Sequence, residues 1–135
     1  MPEFLFDTDQ IRRAITNLVD NAVETVRHIH KAQIKIETQY DPLSRIVRIS
    51  VSDNGKGLSA DIKSRIFEPY VTTKVHGTGL GLAIVKRTVE DHSGYVRAFD
   101  NQPTGTRFVI ELPVILSNTA IDVVQTKTYN KDIGV

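Results

Sequence analysis

Apolar residues recur at helical spacing from Ile11 to Ile29, through Ala14, Ile15, Leu18, Val19, Ala22, Val23 and Val26. Steps of three and four place them along one side of a helix, so this segment predicts a long amphipathic helix. Asp7 supplies its start signal, with Gln10 three residues later in capping-box position. The period then changes to two. In "AQIKIETQY" the residues Ile34, Ile36, Thr38 and Tyr40 share a face, and "DPLSR" brings turn chemistry before "IVRISVSDNG". This predicts two antiparallel strands, the second carrying Val47, Ile49, Val51 and Asp53 on one face.

Residues 59–67, "SADIKSRIF", read as a short helix, and "EPYVTTKVHG" has no period and reads as a loop. Loops of that length inside a compact domain tend to be functional or mobile. From Leu80 a stripe of Leu82, Val85 and Val89 predicts another helix, ended by Gly94 at a C-terminal capping position. "YVRAFDN" and "GTRFVIELP" then predict two strands joined around "NQPTG", with Thr106, Phe108, Ile110 and Leu112 sharing a face. After Pro113 the tail has β-propensity but no clean period or cap, and is expected to be frayed or to form an extra element. The expected organisation is one domain over residues 1–113 and a tail over 114–135. The expected fold is α+β, a two-layer α/β sandwich with a mixed sheet of about five strands covered on one side by about three helices.

Composition narrows the function classes. The 135 residues carry a formal charge of +1, which gives no support to a nucleic-acid footprint or a polybasic membrane patch. There is no cysteine, so disulfides and thiolate metal sites are excluded. No apolar run approaches the roughly 20 residues that span a bilayer, and no secretion-signal pattern opens the chain. A cytoplasmic location without membrane contact by this domain is expected, whatever anchors a larger parent protein.

The stretch "GTGLGLAIVK" runs three glycines into a helix. A dinucleotide-binding loop needs a third glycine one residue later and a strand before it, and no window fits a P-loop. What remains is general: glycines let backbone N–H groups approach an anion, and a helix N-terminus adds unpaired donors and partial positive charge. A tight turn at a loop–helix junction explains the glycines equally well.

Three polar features bear on this choice. Asp53 continues the apolar face of its strand, where an unpaired carboxylate would be costly to bury. It either caps a turn in "SDNG" or accepts a hydrogen bond from a ligand amino group. Thr106 extends the core face of the last strand in the same way, and two polar groups at the edge of one apolar layer describe a small-molecule pocket. Asn17 and Asn21, four apart on one helix side, offer amide oxygens suited to Mg²⁺, although alone they are ordinary polar residues at a helix boundary.

Taken together, "NLVDNA", "DNGKGL", "IFEPYVTTK", "GTGLGLAIVK" and "GTRFVIEL" resemble, in order and spacing, the N, G1, F, G2 and G3 boxes of the ATP-binding domains of sensor histidine kinases. The resemblance covers residues 3–113, and the wording of "FEPYVTTK" and "NAVE" is most similar to the nitrogen-regulation class. It implies the α/β sandwich of the GHKL superfamily, with ATP and Mg²⁺ as cofactors. By the same resemblance, Asn21 would hold Mg²⁺ with Asn17 helping at metal or phosphate. Asp53 would bind the adenine amino group, Gly55 and Gly57 would shape the adenine pocket, and Thr106 would support the base. Phe67 would anchor a nucleotide lid over residues 68–78, while Gly77, Thr78, Gly79, Leu80 and Gly81 would give the lid hinge and phosphate donors.

The implied reaction is transfer of the γ-phosphoryl group of ATP to a histidine, followed by signalling to a response regulator in a two-component system. One departure stands out: many members carry a cation and then tyrosine where this chain has Glu24 and Thr25. Lys74, in the lid, is the candidate replacement cation. Hydrolysing relatives such as gyrase and the heat-shock chaperones have glutamate where Asn17 stands, and an asparagine cannot serve as that base. None of His28, His30, His76 and His92 lies in a phosphoacceptor motif, so the dimerisation domain bearing the acceptor is expected elsewhere and the chain alone is expected not to autophosphorylate. The alternatives are a serine kinase of the anti-sigma type and a non-catalytic ATP-binding or interaction module.

Overall fold

The computed structural model describes residues 7–71 and 79–114. Helix α1 spans Thr8–Val26, and the Asp7 carboxylate accepts a hydrogen bond from the Gln10 N–H at 3.1 Å. That bond satisfies one of the first-turn donors that a helix leaves open. Ala14, Leu18, Ala22 and Val26 form its buried stripe at four-residue steps. Burying Leu18 completely contributes about 2 kcal/mol by the area removed from water.

The remaining elements are β1 (Ile34–Asp41), β2 (Ile46–Asp53), α2 (Ala60–Arg65), α3 (Gly81–Asp91), β3 (Tyr95–Asp100) and β4 (Thr106–Pro113). The sheet order is β1-β2-β4-β3. Val47 stands opposite Leu112, Ile49 opposite Ile110 and Val51 opposite Phe108, so the two predicted apolar faces meet in register at the sheet centre. α1 and α3 cover this face, and Val85 and Val89 of α3 are fully buried against it.

Two expectations are corrected in detail. Among the described residues the sheet has four strands and every neighbouring pair is antiparallel, where the sequence suggested about five in a mixed sheet. The chain leaving α3 does not cross over to run parallel to β2; it forms β3 at the far edge, as a hairpin with β4. Ile36 keeps the predicted facing, opposite Val51, but is 53% exposed because β1 is an edge strand that the helices do not fully cover.

The end of α3 is also reassigned. The Ser93 N–H donates to the Glu90 carbonyl at 2.9 Å and the Gly94 N–H to the Val89 carbonyl at 2.8 Å, the paired bonds of a Schellman motif. The left-handed residue is Ser93, at φ 61, one position before the glycine. Gly94 answers a different need: a Cβ there would lie 2.3 Å from the Glu111 carbonyl oxygen of β4. Val114, assigned to the tail by sequence, packs in the core, and its N–H donates to the Arg45 carbonyl at 2.9 Å. The rest of the tail lies outside the described residues.

Candidate functional site

A cleft of about 380 Å³ opens between α1, the loop after β2 and the start of α3. On α1 it is lined by Asn17, Asp20, Asn21 and Glu24, spaced so that all four fall on one polar edge beside the apolar stripe. The two asparagines are therefore brought together with the cleft as predicted. Asp20 is an addition, and its three-residue step from Asn17 was the signal for it. The Asn17 Nδ2 donates to the Gly81 carbonyl at 3.4 Å, tying this edge to α3.

At the opposite end of the cleft Asp53 is 2% exposed. Its Oδ1 accepts from the Gly55 N–H at 2.8 Å and from the Thr106 N–H at 3.3 Å. Among the described residues no donor reaches Oδ2, so a buried carboxylate oxygen in the cleft wall lacks a protein partner. The turn-closing reading of Asp53 holds through Oδ1, and Oδ2 is left without a partner among the described residues. Thr106 also lines the cleft, and its contact with Asp53 is made by the backbone N–H.

The loop carrying Gly55 and Gly57 is clamped from three sides. The Asn54 Oδ1 accepts from the Gln33 N–H at 2.8 Å, and its Nδ2 donates to the Lys31 carbonyl at 2.9 Å. Asn101 Nδ2 donates to the Asp53 carbonyl and Thr104 Oγ1 to the Gly55 carbonyl, both at 2.8 Å. Gly57 sits at φ +77 against Gly105. Gly105 comes so close to Asp53 that a Cβ would fall 1.9 Å from the Asp53 carbonyl oxygen. Sequence reasoning missed Asn54, Asn101, Thr104 and Gly105, because each acts across more than twenty positions.

The departure at residues 24 and 25 now has a structural setting. Thr25 donates through Oγ1 to the Asn21 carbonyl at 2.8 Å, and its methyl group fills the space beside Gly55. Glu24 lines the cleft but pairs with Arg27 at 3.3 Å, an exposed pair of small energetic weight. Among the described lining residues Lys56 is the one cation, facing a wall that carries Asp20, Glu24 and Asp53.

Phe67 does not line the cleft; it packs edge-on against Phe108 at 5.9 Å and 74°, while its neighbour Ile66 lines the wall. Past Phe67, the Tyr70 N–H donates to the Gly79 carbonyl at 2.8 Å, which ties residue 70 to the start of α3. Leu80 is the N-cap residue of α3, and its side chain makes no cap hydrogen bond. Among the described residues nothing lies within 4 Å of a Cβ built on Gly81. Lys74, Gly77 and Thr78 lie outside the described residues.

A two-layer sandwich with a ligand cleft between its helices and the ends of its sheet strands defines a small-molecule-binding domain. The family model described as "Histidine kinase-, DNA gyrase B-, and HSP90-like ATPase" matches residues 6–116, and the chain belongs to this family. It is 40% identical over 114 residues to the sensor histidine kinase ZraS of Escherichia coli O157:H7, covering 84% of this chain and 24% of that protein. To the sensory histidine kinase/phosphatase NtrB of Rhodobacter capsulatus it is 37% identical over 125 residues, covering 84% and 34%. Among solved structures, full-length ShkA in complex with AMPPNP matches with a TM-score of 0.76 at 32% identity, over 87% of this chain and 24% of that one. The catalytic domain of the histidine kinase ThkA matches with a TM-score of 0.69 at 36% identity, over 79% and 68%. The chain thus spans about a quarter to a third of the curated relatives it matches, and the expected fold and ATP-binding family are both correct.

Proposed function

We propose that this chain is the catalytic domain of a sensor histidine kinase, binding Mg-ATP and passing its γ-phosphoryl group to a histidine on a dimerisation domain in another segment or chain. The observation that carries the reading is the buried Asp53 carboxylate in the cleft wall, with Oδ1 accepting from two backbone N–H groups and Oδ2 without a partner among the described residues. A 6-amino group of adenine fits that acceptor. Gly55, Gly57 and Thr106 enclose the base, and the amides at Gly79, Leu80 and Gly81 donate to phosphates at the start of α3. Phe67 holds the segment leading into the lid, and Gly77, Thr78 and Lys74 belong to the lid itself.

The amide oxygens of Asn21 and Asn17 fit Mg²⁺, which takes few protein ligands and completes its shell with phosphate and water; bound there, it would neutralise charge on the phosphates. No group of three or more acidic or histidine side chains that could hold a metal ion stands among the described residues. Among the described residues the wall carries three carboxylates and one ammonium, a balance that disfavours a bare triphosphate and favours a metal-complexed nucleotide. Phosphoryl transfer needs mainly positioning and charge neutralisation, so this set suffices without a dedicated base. No described helix is long and apolar enough to cross a membrane. The proposed setting is cytoplasmic, with the response regulator as the next phosphoacceptor.

Calorimetry tests the reading. Mg-ATP is expected to bind, and Asp53→Asn, which keeps the Oδ1 acceptor but puts an NH₂ donor against the base, is expected to weaken binding about 100-fold with the fold retained. Absence of Mg-dependent ATP binding by a chain folded by circular dichroism would favour a non-catalytic module. Transfer to a serine protein, and not to a histidine-bearing dimerisation domain supplied in trans, would favour the anti-sigma type. Unchanged affinity and transfer in Lys74→Ala would remove Lys74 from the site.

A further inference from the structure

The sheet has a second face, and none of the described helices packs on it. There Arg107 stands between Ser52 and Phe99, Arg97 stands opposite Val109, and Glu111 stands between Arg48 and Tyr95. The acidic groups on this face are already engaged. Arg48 donates to Glu111 Oε2 from Nε at 2.8 Å and from Nη2 at 2.6 Å, and Glu37 pairs with Lys35 at 3.5 Å. Asp41, at the far end, accepts from the Leu43 N–H of its own turn at 2.9 Å.

Two guanidinium groups are left over. Arg97 lies over the Tyr95 ring at 5.6 Å, and neither Arg97 nor Arg107 has a carboxylate partner among the described residues. They are diagonal neighbours across β3 and β4, a separation of about 7–8 Å between Cα atoms. Like charges so placed oppose folding. Beside them lies a hollow of about 160 Å³, floored by the buried Val109 and edged by Phe99, which is 44% exposed; Tyr95 is 64% exposed.

We propose that this face docks an extended acidic segment of a partner protein, two carboxylates meeting Arg97 and Arg107 while an apolar side chain enters the hollow at Phe99. The spacing supports it: alternate side chains of an extended chain project to one side about 6.5–7 Å apart, close to the separation of the two arginines. Charge selects a protein over a nucleic acid. The whole chain carries only +1 and the face offers one diagonal pair of arginines without carboxylate partners, which matches two carboxylates and not the basic track that a continuous phosphate backbone needs. The surface is separate from the nucleotide cleft, being on the other side of the sheet.

The test uses the full chain and a fluorescein-labelled peptide of alternating glutamate and threonine with one central leucine, followed by anisotropy. Saturable binding that weakens with salt is expected, roughly tenfold weaker in the Arg97→Glu/Arg107→Glu double variant and several-fold weaker in Phe99→Ser. Circular dichroism and Mg-ATP affinity, unchanged in these variants, certify the fold, and loss of ATP binding by the parent chain would count against the proposed function without touching this face. Equal binding by parent and double variant, or by a glutamine-for-glutamate peptide, overturns the proposal. So does tighter binding of a uridine-rich oligonucleotide, a dimer in sedimentation that the double variant abolishes, or displacement of the probe by a synthetic peptide of residues 115–135.

Discussion

The Tyr70 N–H and the Gly79 carbonyl oxygen meet at 2.8 Å, and the two residues hold the ends of the intervening segment together. Gly79 is at φ +75, and a Cβ there would lie 2.5 Å from the Tyr70 Cα. Gly79→Ala therefore faces a left-handed backbone cost of about 1–2 kcal/mol in addition to a clash with backbone that has no rotamer to yield. The expected result is a lower melting temperature and a Mg-ATP affinity at least tenfold weaker, with adenosine affinity nearly preserved because Asp53 is at the other end of the cleft. Parallel calorimetry with ATP and adenosine separates these; equal loss for both would mean that the closure serves the fold alone.

Gly81 gives the opposite expectation for stability. Its Cβ position is open and it begins α3, so Gly81→Ala is expected to stabilise the ligand-free chain by about 0.5–1 kcal/mol through helix propensity and reduced unfolded-state freedom. If phosphates approach this backbone closely, the same methyl group stands in their way. A variant that melts higher yet binds ATP more weakly is the expected outcome, and one that binds ATP equally well would remove Gly81 from the phosphate contacts.

Thr25 and Gly55 are expected to be energetically coupled. A Cβ on Gly55 would lie 2.5 Å from the Thr25 Cγ2 and 3.1 Å from the Asp53 Oδ1. Gly55→Ala is expected to cost about 1–3 kcal/mol by overpacking. Thr25→Ser removes the obstructing methyl group while keeping the hydroxyl that donates to Asn21, so the double variant should recover part of that loss. Urea unfolding of the four proteins measures the coupling, and strict additivity would show that the strain is absorbed elsewhere.

Acid should act on the turn between β1 and β2. Hydrogen bonding from the Ser44 side chain, and then from the Leu43 N–H, holds the Asp41 carboxyl below its ordinary value of 3.8. A carboxyl whose folded pKa is depressed contributes stability above its unfolded pKa and loses it as pH falls through the folded value. The stability advantage of the parent chain over Asp41→Asn should thus be constant at neutral pH and shrink as pH drops below about 4. Urea titrations across that window test the direction.

What the sequence revealed and what it hid divide by range. Period and parity placed Leu18, Val51 and Phe108 in the core and aimed Asp53 and Thr106 at one cleft, because facing is set by the local backbone repeat. Asn17 and Asn21 were legible for the same reason. Nothing local distinguishes Asn54, Asn101 or Thr104 from ordinary turn residues; their partners are set by how the hairpin and the first strand come together. Gly94 was read as a conformational cap, since a glycine needed for close approach to another strand looks identical in one dimension. Ile36 was correctly faced, and its exposure was not legible, as alternation carries no information about where the covering helices stop.

The hydrogen bonds that shape the Asp53 end of the cleft join residues 21, 48, 49 and 53 positions apart. Such contacts form only after long stretches of chain have been closed into loops, a cost met late in folding. A growing chain that has emerged through α3 already contains every glycine of "GTGLGLAIVK" and both asparagines of α1, yet it lacks Thr106 and Phe108, which line the cleft from β4. Among the described strands β4 comes last in the chain, so the Asp53 end of the cleft closes only when β4 docks.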